Sequence, residues 1–419
     1  MDLNAVWAYF VLMAAVVGLA AMPLFRFIDA APGPGNRYSA IDGLRGFLAP
    51  GVFIFHLVVT HRYMETGLWE APASRFYALL GPVGVSLFFM ITGFLFWGQL
   101  LRAKGHPAWR KLYIGRLFRI GPMYLFVVLV MLCIVFARTG FRLLEPPDAV
   151  AGSIVRWLAL GVMNMQPDVN GYPASHVLAG VTWTISYEWA FYASLIATAY
   201  FARGRTHLIF VLAALALCLA GKVLLNADAM GFGVLFLSGM AVASLLHENV
   251  KPRMSQHLSS AAALACLAVV FATSRSGYGT TTAVLLALFF YLVCSGASLF
   301  GLLTAAPARR LGNISYSLYL MQGLVLTGVF AIAPIRTFAM ASPQGYWTIG
   351  VVCACALLLA ASLGYAFIER PGIALGKRLR GRRTSVAGTV VAPSILGPVL
   401  AIRSRPTPVR TRPSLRGGA

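Results

Sequence analysis

The sequence predicts an all-α, polytopic integral membrane protein with about eleven transmembrane helices, and three observations predict it. Hydrophobic residues make up 59% of the 419-residue chain and charged residues only 11%, whereas a soluble domain carries about 25% charged residues. Mean hydropathy is +0.78. Apolar runs of the roughly 20 residues that a crossing needs recur along the chain, separated by short polar stretches rich in Lys and Arg.

Taken in order, the spans fall near 6–28, 43–60, 81–101, 120–137, 181–202, 207–224, 230–247, 258–274, 281–300, 311–333 and 346–368. The run 154–165 is short and follows Pro146-Pro147-Asp148, which reads as an interfacial or re-entrant segment. Residues 1–30 lack a basic start and carry a long apolar run with Arg26 behind it, so they read as a span and not as a signal peptide. The six cysteines all lie in apolar runs without a CxxC, which supports neither a zinc site nor a disulfide framework.

The net charge of +22 would point to nucleic acid in a soluble chain, but its distribution excludes that partner. With the N-terminus outside and the C-terminus inside, the inner segments hold 26 of the 34 Lys/Arg. Membrane lipid is the expected electrostatic partner. Two regions result: a membrane domain, and a basic tail over 372–419 expected to be disordered at the cytoplasmic face. The outer segment 138–180, with Asn170-Gly-Tyr-Pro173, is the candidate lid or acceptor-binding loop.

Three constellations carry chemistry. Arg45 and His56 stand eleven residues apart in one apolar run, three turns plus about 20°, so they share a helix face with a rise of roughly 16 Å. Either Arg45 marks the inner end and His56 is an interhelical hydrogen-bonder, or both are functional; spacing leaves the two readings open. Arg116 and Arg119, at i,i+3 where a basic inner loop enters the next span, make a guanidinium pair suited to phosphate, or else a topological anchor. Glu188, about 10 Å into its span from the outer side among Trp183, Tyr187, Trp189 and Tyr192, needs a cation or a proton. An aromatic belt explains the rings but not the acid. By depth, Glu188 is expected to meet His56.

These residues lie in motifs that resemble the membrane acyltransferase-3 family, the polysaccharide O-acetyltransferase-like integral membrane acyltransferases. The motifs run in order from about Tyr38 to Pro371: Ile41-Asp-Gly-Leu-Arg45 with His56; Gly84-Val-Ser-Leu-Phe-Phe-Met-Ile-Thr-Gly93; Arg116-Leu-Phe-Arg119-Ile-Gly-Pro122; Trp183-Thr-Ile-Ser186-Tyr-Glu188 with Phe191-Tyr192; Leu311-Gly-Asn-Ile-Ser-Tyr-Ser-Leu-Tyr319; and Glu369-Arg-Pro371. The ten spans after the first match the family's ten-helix core, so the resemblance implies an extra N-terminal transmembrane helix and linker over 1–36 and a membrane acyltransferase domain over 37–371. Three positions depart from the family pattern: Ser86 where an acid is common, Trp189-Ala190 where Glu-Gln is usual, and Gln322 where a His often ends the motif.

The resemblance implies an enzyme of the bacterial inner membrane that takes an acyl group, expected to be acetyl from acetyl-CoA, to a hydroxyl of a cell-surface or exported glycan. Arg116 and Arg119 would hold the donor's phosphates and Arg45 the inner end of its channel, with no metal ion. His56 would act as general base, with Glu188 orienting it. A separate extracytoplasmic partner protein would stand in for the hydrolase-like domain common in the family. The alternatives are an acyltransferase acting on a lipid or small molecule, and a proton-coupled transporter or flippase in which His56 and Glu188 form the relay. The sequence carries no internal repeat of the kind such transporters use.

Overall fold

The computed structural model describes residues 3–29, 39–163, 165–225 and 228–381. Among them every regular element is helical, apart from one isolated bridge between Val169 and Tyr172. The helices are α1 (Trp7–Ala21), α2 (Ser39–Thr66), α3 (Arg75–Arg102), α4 (Trp109–Arg138), α5 (Pro147–Leu158), α6 (Ala174–Val177), α7 (Trp183–Thr198), α8 (His207–Leu224), α9 (Asp228–His247), α10 (Gln256–Thr273), α11 (Thr280–Ser295), α12 (Ala306–Asn313), α13 (Ser315–Phe330), α14 (Ala333–Met340), α15 (Pro343–Gly364) and α16 (Arg370–Gly381). Seven of the helical stretches are long and apolar enough to cross a membrane, or eight if the bent pair α13–α14 is one span. The α2 helix begins at what we call the proximal end of the bundle and finishes at the distal end, and α3 returns.

Each expected span falls on a helix, with four differences. The first breaks at Pro23, where α1 gives way to a 3-10 segment, Pro23–Ile28, because proline offers no amide to continue the ladder. The fourth starts at Trp109, so Arg116 and Arg119 stand two to three turns inside α4 and not at its mouth. The stretch 311–333 divides at Ile314 between α12 and α13, and α14 then bends away from α13 by 94°. The last span continues through a π-helical turn, Tyr365–Glu369, into α16. Gly372 and Gly376 of α16 pack on Pro122 and Phe118 of α4. Residues 372–381 are therefore helical, and the compact unit runs to Arg380 instead of ending at Pro371. The remainder of the expected tail, 382–419, and residues 30–38, which include the end of the expected linker, lie outside the described residues.

Close backbone approach sets the proximal packing. A Cβ on Gly43 or Gly46 would overlap the carbonyl oxygens of Leu303 and Ala308, and one on Gly312 would overlap that of Asp42. Small residues let α2 and α12 touch backbone to backbone, as membrane helices do where lipid supplies no hydrophobic drive. Gly93 on α3 and Gly239 on α9 serve the same purpose against Phe236 and Met90.

Arg310 fastens α1 to this crossing. Its Nε and Nη2 donate to the two Asp29 carboxylate oxygens at 2.7 and 3.0 Å, and its Nη1 donates to the C-terminal carbonyls of Ala20 and Ala21. Hydrogen bonding from Arg310 holds the Asp29 carboxyl below its ordinary pKa. A lowered folded pKa means that this contribution is present above the ordinary carboxylate range, near pH 4, and is lost as pH falls through the lowered value. Arg310→Ala also strands two helix-end carbonyls. It is expected to cost about 2–3 kcal/mol, read as a lower melting temperature in detergent at pH 7. The difference from wild type should shrink below pH 4.

Candidate functional site

The proximal cavity gathers four of the five residues that the sequence singles out. Arg45 from α2, Arg116 and Arg119 from α4 and Glu188 from α7 all line it, and the whole space, open mouth included, is about 1000 Å³. The rest of the wall comes from α3 and from Ser315, Tyr316 and Tyr319 of α13. Arg45 reaches the cavity because Gly43 and Gly46 bring its helix against α12. Asp42 stands one turn before it, 4.0 Å away. The Arg116 guanidinium lies 4.7 Å over the Phe96 ring, a contact that suits a weakly hydrated planar cation.

Glu188 belongs to this arginine cluster and not to His56. Its Oε2 accepts from the Tyr192 hydroxyl at 2.8 Å, one turn along α7, and it lies in the field of Arg116, Arg119 and Arg45. The Tyr192 backbone carbonyl in turn accepts from Tyr113 of α4 at 2.7 Å. The expected Glu188–His56 contact is absent because α7 presents Glu188 to the wall that α4 shares. Three arginines against one carboxylate leave the lining cationic. A second acid, Glu369, is 0% exposed behind it, with Oε2 accepting from Ser317 at 2.7 Å. The π-helical turn ends at Glu369 and alters the phase of the helix there, a device common near functional sites. Sequence reading quoted Glu369 only as part of a motif and gave it no role.

His56 instead meets Gln322, 266 residues away on α13. Its Nδ1 lies 3.0 Å from the Val52 carbonyl oxygen and 3.2 Å from Gln322 Oε1. A carbonyl only accepts, so Nδ1 carries the hydrogen and Nε2 keeps the lone pair. Gln322 is 0% exposed, and its Nε2 donates to the Tyr319 carbonyl at 2.8 Å, which fixes which end of the amide faces the imidazole. The position that departs from the family's His is therefore the orienting partner of His56. The other two departures have partners as well: Ser86 donates to the Gly277 carbonyl at 3.0 Å, and Trp189 to that of Leu160 at 2.9 Å.

A second cavity, of about 780 Å³, lies at the distal end. Both helices that carry the His56–Gln322 pair line both cavities: Arg45 and Tyr319 on the proximal side, Thr60 and Gly323 on the distal side. Tyr172 and Pro173 of the expected acceptor loop line the distal cavity. That loop is held by Asn170, 0% exposed, whose side chain bonds the Thr139 hydroxyl, the Arg142 carbonyl and the Leu144 amide at 2.7–2.9 Å. Among the described residues no group of three or more His, Cys, Asp or Glu is arranged to hold a metal ion.

A family model described as an acyltransferase domain matches residues 38–366. The chain is similar to the "Putative peptidoglycan O-acetyltransferase YrhL" of Bacillus subtilis (strain 168), at 25% identity over 84% of this chain and 57% of that protein. It is also similar to the "Acyltransferase MdmB" of Streptomyces mycarofaciens, at 28% identity over 37% of this chain and 38% of that protein. The chain thus spans little more than half the length of one relative and less than half of the other. No solved structure matches.

The Glu188 geometry makes a prediction. Glu188→Leu leaves the Tyr192 hydroxyl without its acceptor and Arg116 without a neighbouring counter-charge, so a loss of about 3 kcal/mol or more is expected. Glu188→Gln keeps an acceptor for Tyr192 and should recover part of that loss, read in thermal melts of the detergent-solubilised protein.

Proposed function

Because the chain belongs to the membrane acyltransferase-3 family, we propose that it is an O-acyltransferase carrying an acyl group from a cytoplasmic acyl-CoA, acetyl-CoA in the first instance, to a hydroxyl of a glycan outside the membrane. The observation that carries this reading is the His56–Gln322 pair, set between a cationic proximal cavity and a distal cavity lined by both of its helices. The concentration of Lys/Arg on segments at the proximal end supports assigning that end to the cytoplasmic face of a bacterial inner membrane, with the N-terminus outside.

In this reading Arg116, Arg119 and Arg45 bind the donor's phosphates, as planar guanidiniums do. Glu188 and Glu369 hold the arginines in place before the donor arrives. The pantetheine arm then extends along α2, where the rise from Arg45 to His56 is roughly 16 Å. The Nε2 lone pair of His56 takes the proton of the acceptor hydroxyl while that oxygen attacks the thioester carbonyl. On collapse the carbon–sulfur bond breaks, and the imidazolium returns its proton to the departing thiolate. The acceptor approaches from the distal cavity, and the similarity to a protein named as a peptidoglycan O-acetyltransferase supports a glycan.

The test is acetyl transfer by the full-length protein in nanodiscs. His56→Ala and His56→Gln are expected to lower kcat by about 10²–10⁴. Gln322→Ala, which removes one orienting hydrogen bond, should lower it about tenfold with the donor KM little changed. Normally inserted His56 variants that still acylate the acceptor would overturn the assignment.

A further inference from the structure

The distal cavity holds features that hydroxyl acylation alone does not require. Arg138, at the end of α4, and Arg336, on α14, both line it. Neither guanidinium makes an ion pair or hydrogen bond among the described residues, and the lining contains no carboxylate. Glu70, an acid nearby in sequence to Trp69, is taken by Arg62 at 2.8 Å. Nor do the two arginines serve as topological anchors, since the distal loops are the cation-poor side of the chain. Two exposed guanidiniums on one lining give the cavity a positive potential that favours an anionic ligand.

An aromatic wall shares the lining. The Trp69 and His176 rings stack at 4.9 Å and 13°, and the Tyr63 ring meets both edge-on at 5.5 and 5.2 Å. Flat rings with polar edges suit the C–H face of a sugar. The His176 Nδ1 is buried without a hydrogen-bond partner. Burial holds this imidazole below its ordinary pKa against the pull of Asp168, so the ring is neutral at pH 7 and the cationic character of the wall comes from the arginines. On the floor, the Thr60 hydroxyl donates to the His56 backbone carbonyl at 2.7 Å. Thr60 stands one turn, about 6 Å of rise, above the proposed base.

We propose that the distal cavity is an acceptor subsite for a sugar that carries an anionic group, a carboxylate or a phosphate. Arg138 and Arg336 clamp the anion near the mouth, the Trp69–His176 wall holds the ring, and the hydroxyl to be acylated points past Thr60 toward His56. The proposal rests on the transferase reading above and adds the charge class of its acceptor. It assigns recognition in part to α14, which follows the 94° bend after α13 and contributes Arg336 to the lining.

The test uses the full-length protein in nanodiscs with acetyl-CoA and three acceptors: a glucuronate-containing oligosaccharide, its neutral glucose counterpart, and a polyprenyl-diphosphate-linked sugar. At least one anionic acceptor is expected to show a KM tenfold or more below that of the neutral one, and which one distinguishes a carboxylate from a lipid phosphate. In the Arg138→Gln/Arg336→Gln protein that advantage should disappear through acceptor KM, and the Arg138→Lys/Arg336→Lys protein should retain part of it. Both positions are exposed, so these variants are expected to fold. Equal use of neutral and anionic acceptors, or a double Gln variant that behaves as wild type, would overturn this proposal. If wild type also shows no His56-dependent consumption of acetyl-CoA, with or without acceptor, the transferase reading fails as well.

Discussion

The backbone contact between α2 and α12 governs the rest of the molecule. Gly43 and Gly46 on one side and Gly312 on the other remove the side chains that would hold the helices apart. In a bilayer, where lipid competes equally with any apolar side chain, such contact is one of the few sources of helix affinity. Its effect here is positional. With the proximal third of α2 pinned, Arg45 is delivered to the cavity and His56 to Gln322, even though Pro50 lies between them in a helix that stays continuous. Arg310 extends the same fixed block to α1 through Asp29 and the carbonyls of Ala20 and Ala21.

Charge is distributed around that block with evident economy. Three carboxylates stand by the three arginines of the proximal cavity: Asp42 beside Arg45, Glu188 on the wall and Glu369 behind it. Of these acids only Glu188 lines the cavity, so its inner surface is cationic although the cluster as a whole is not short of carboxylates. In the proposed function the donor's phosphates would meet that surface.

Helical architecture was legible because hydropathy and charge asymmetry are local properties, and each expected span coincides with a helix. Helix ends were less legible. The start of α4 at Trp109 is hidden because Arg110 and Lys111 read as loop, although nothing in their backbone preferences opposes a helix. The arginine pair was recognisable from i,i+3 spacing, and His56 from its isolation in an apolar run. The partner of His56 was not. Depth along the chain matched it with Glu188, but depth carries no information about azimuth, and α7 turns Glu188 toward α4. The true partner, Gln322, was visible in the sequence only as a departure from a family pattern, with nothing local to connect it to a helix 266 residues away. That Arg138 and Arg336 line one cavity was illegible for the same reason, since α14 follows a sharp bend after α13.

The amide that faces His56 has a consequence for where a proton can rest. A carboxylate in that place would attract the imidazolium and could share its proton, giving the charge a second resting point inside the membrane. An amide oxygen accepts a hydrogen bond but takes no proton near neutral pH. In the proposed cycle a proton lifted by Nε2 therefore has one exit, back to the sulfur of the departing donor. Every turnover would then return the middle of the bundle to neutrality, the acyl group passing outward while the acceptor's hydroxyl proton leaves inward on the donor's thiol, one for one. A relay that exports protons needs a second titratable station next to the first, and the neighbour of His56 is an amide.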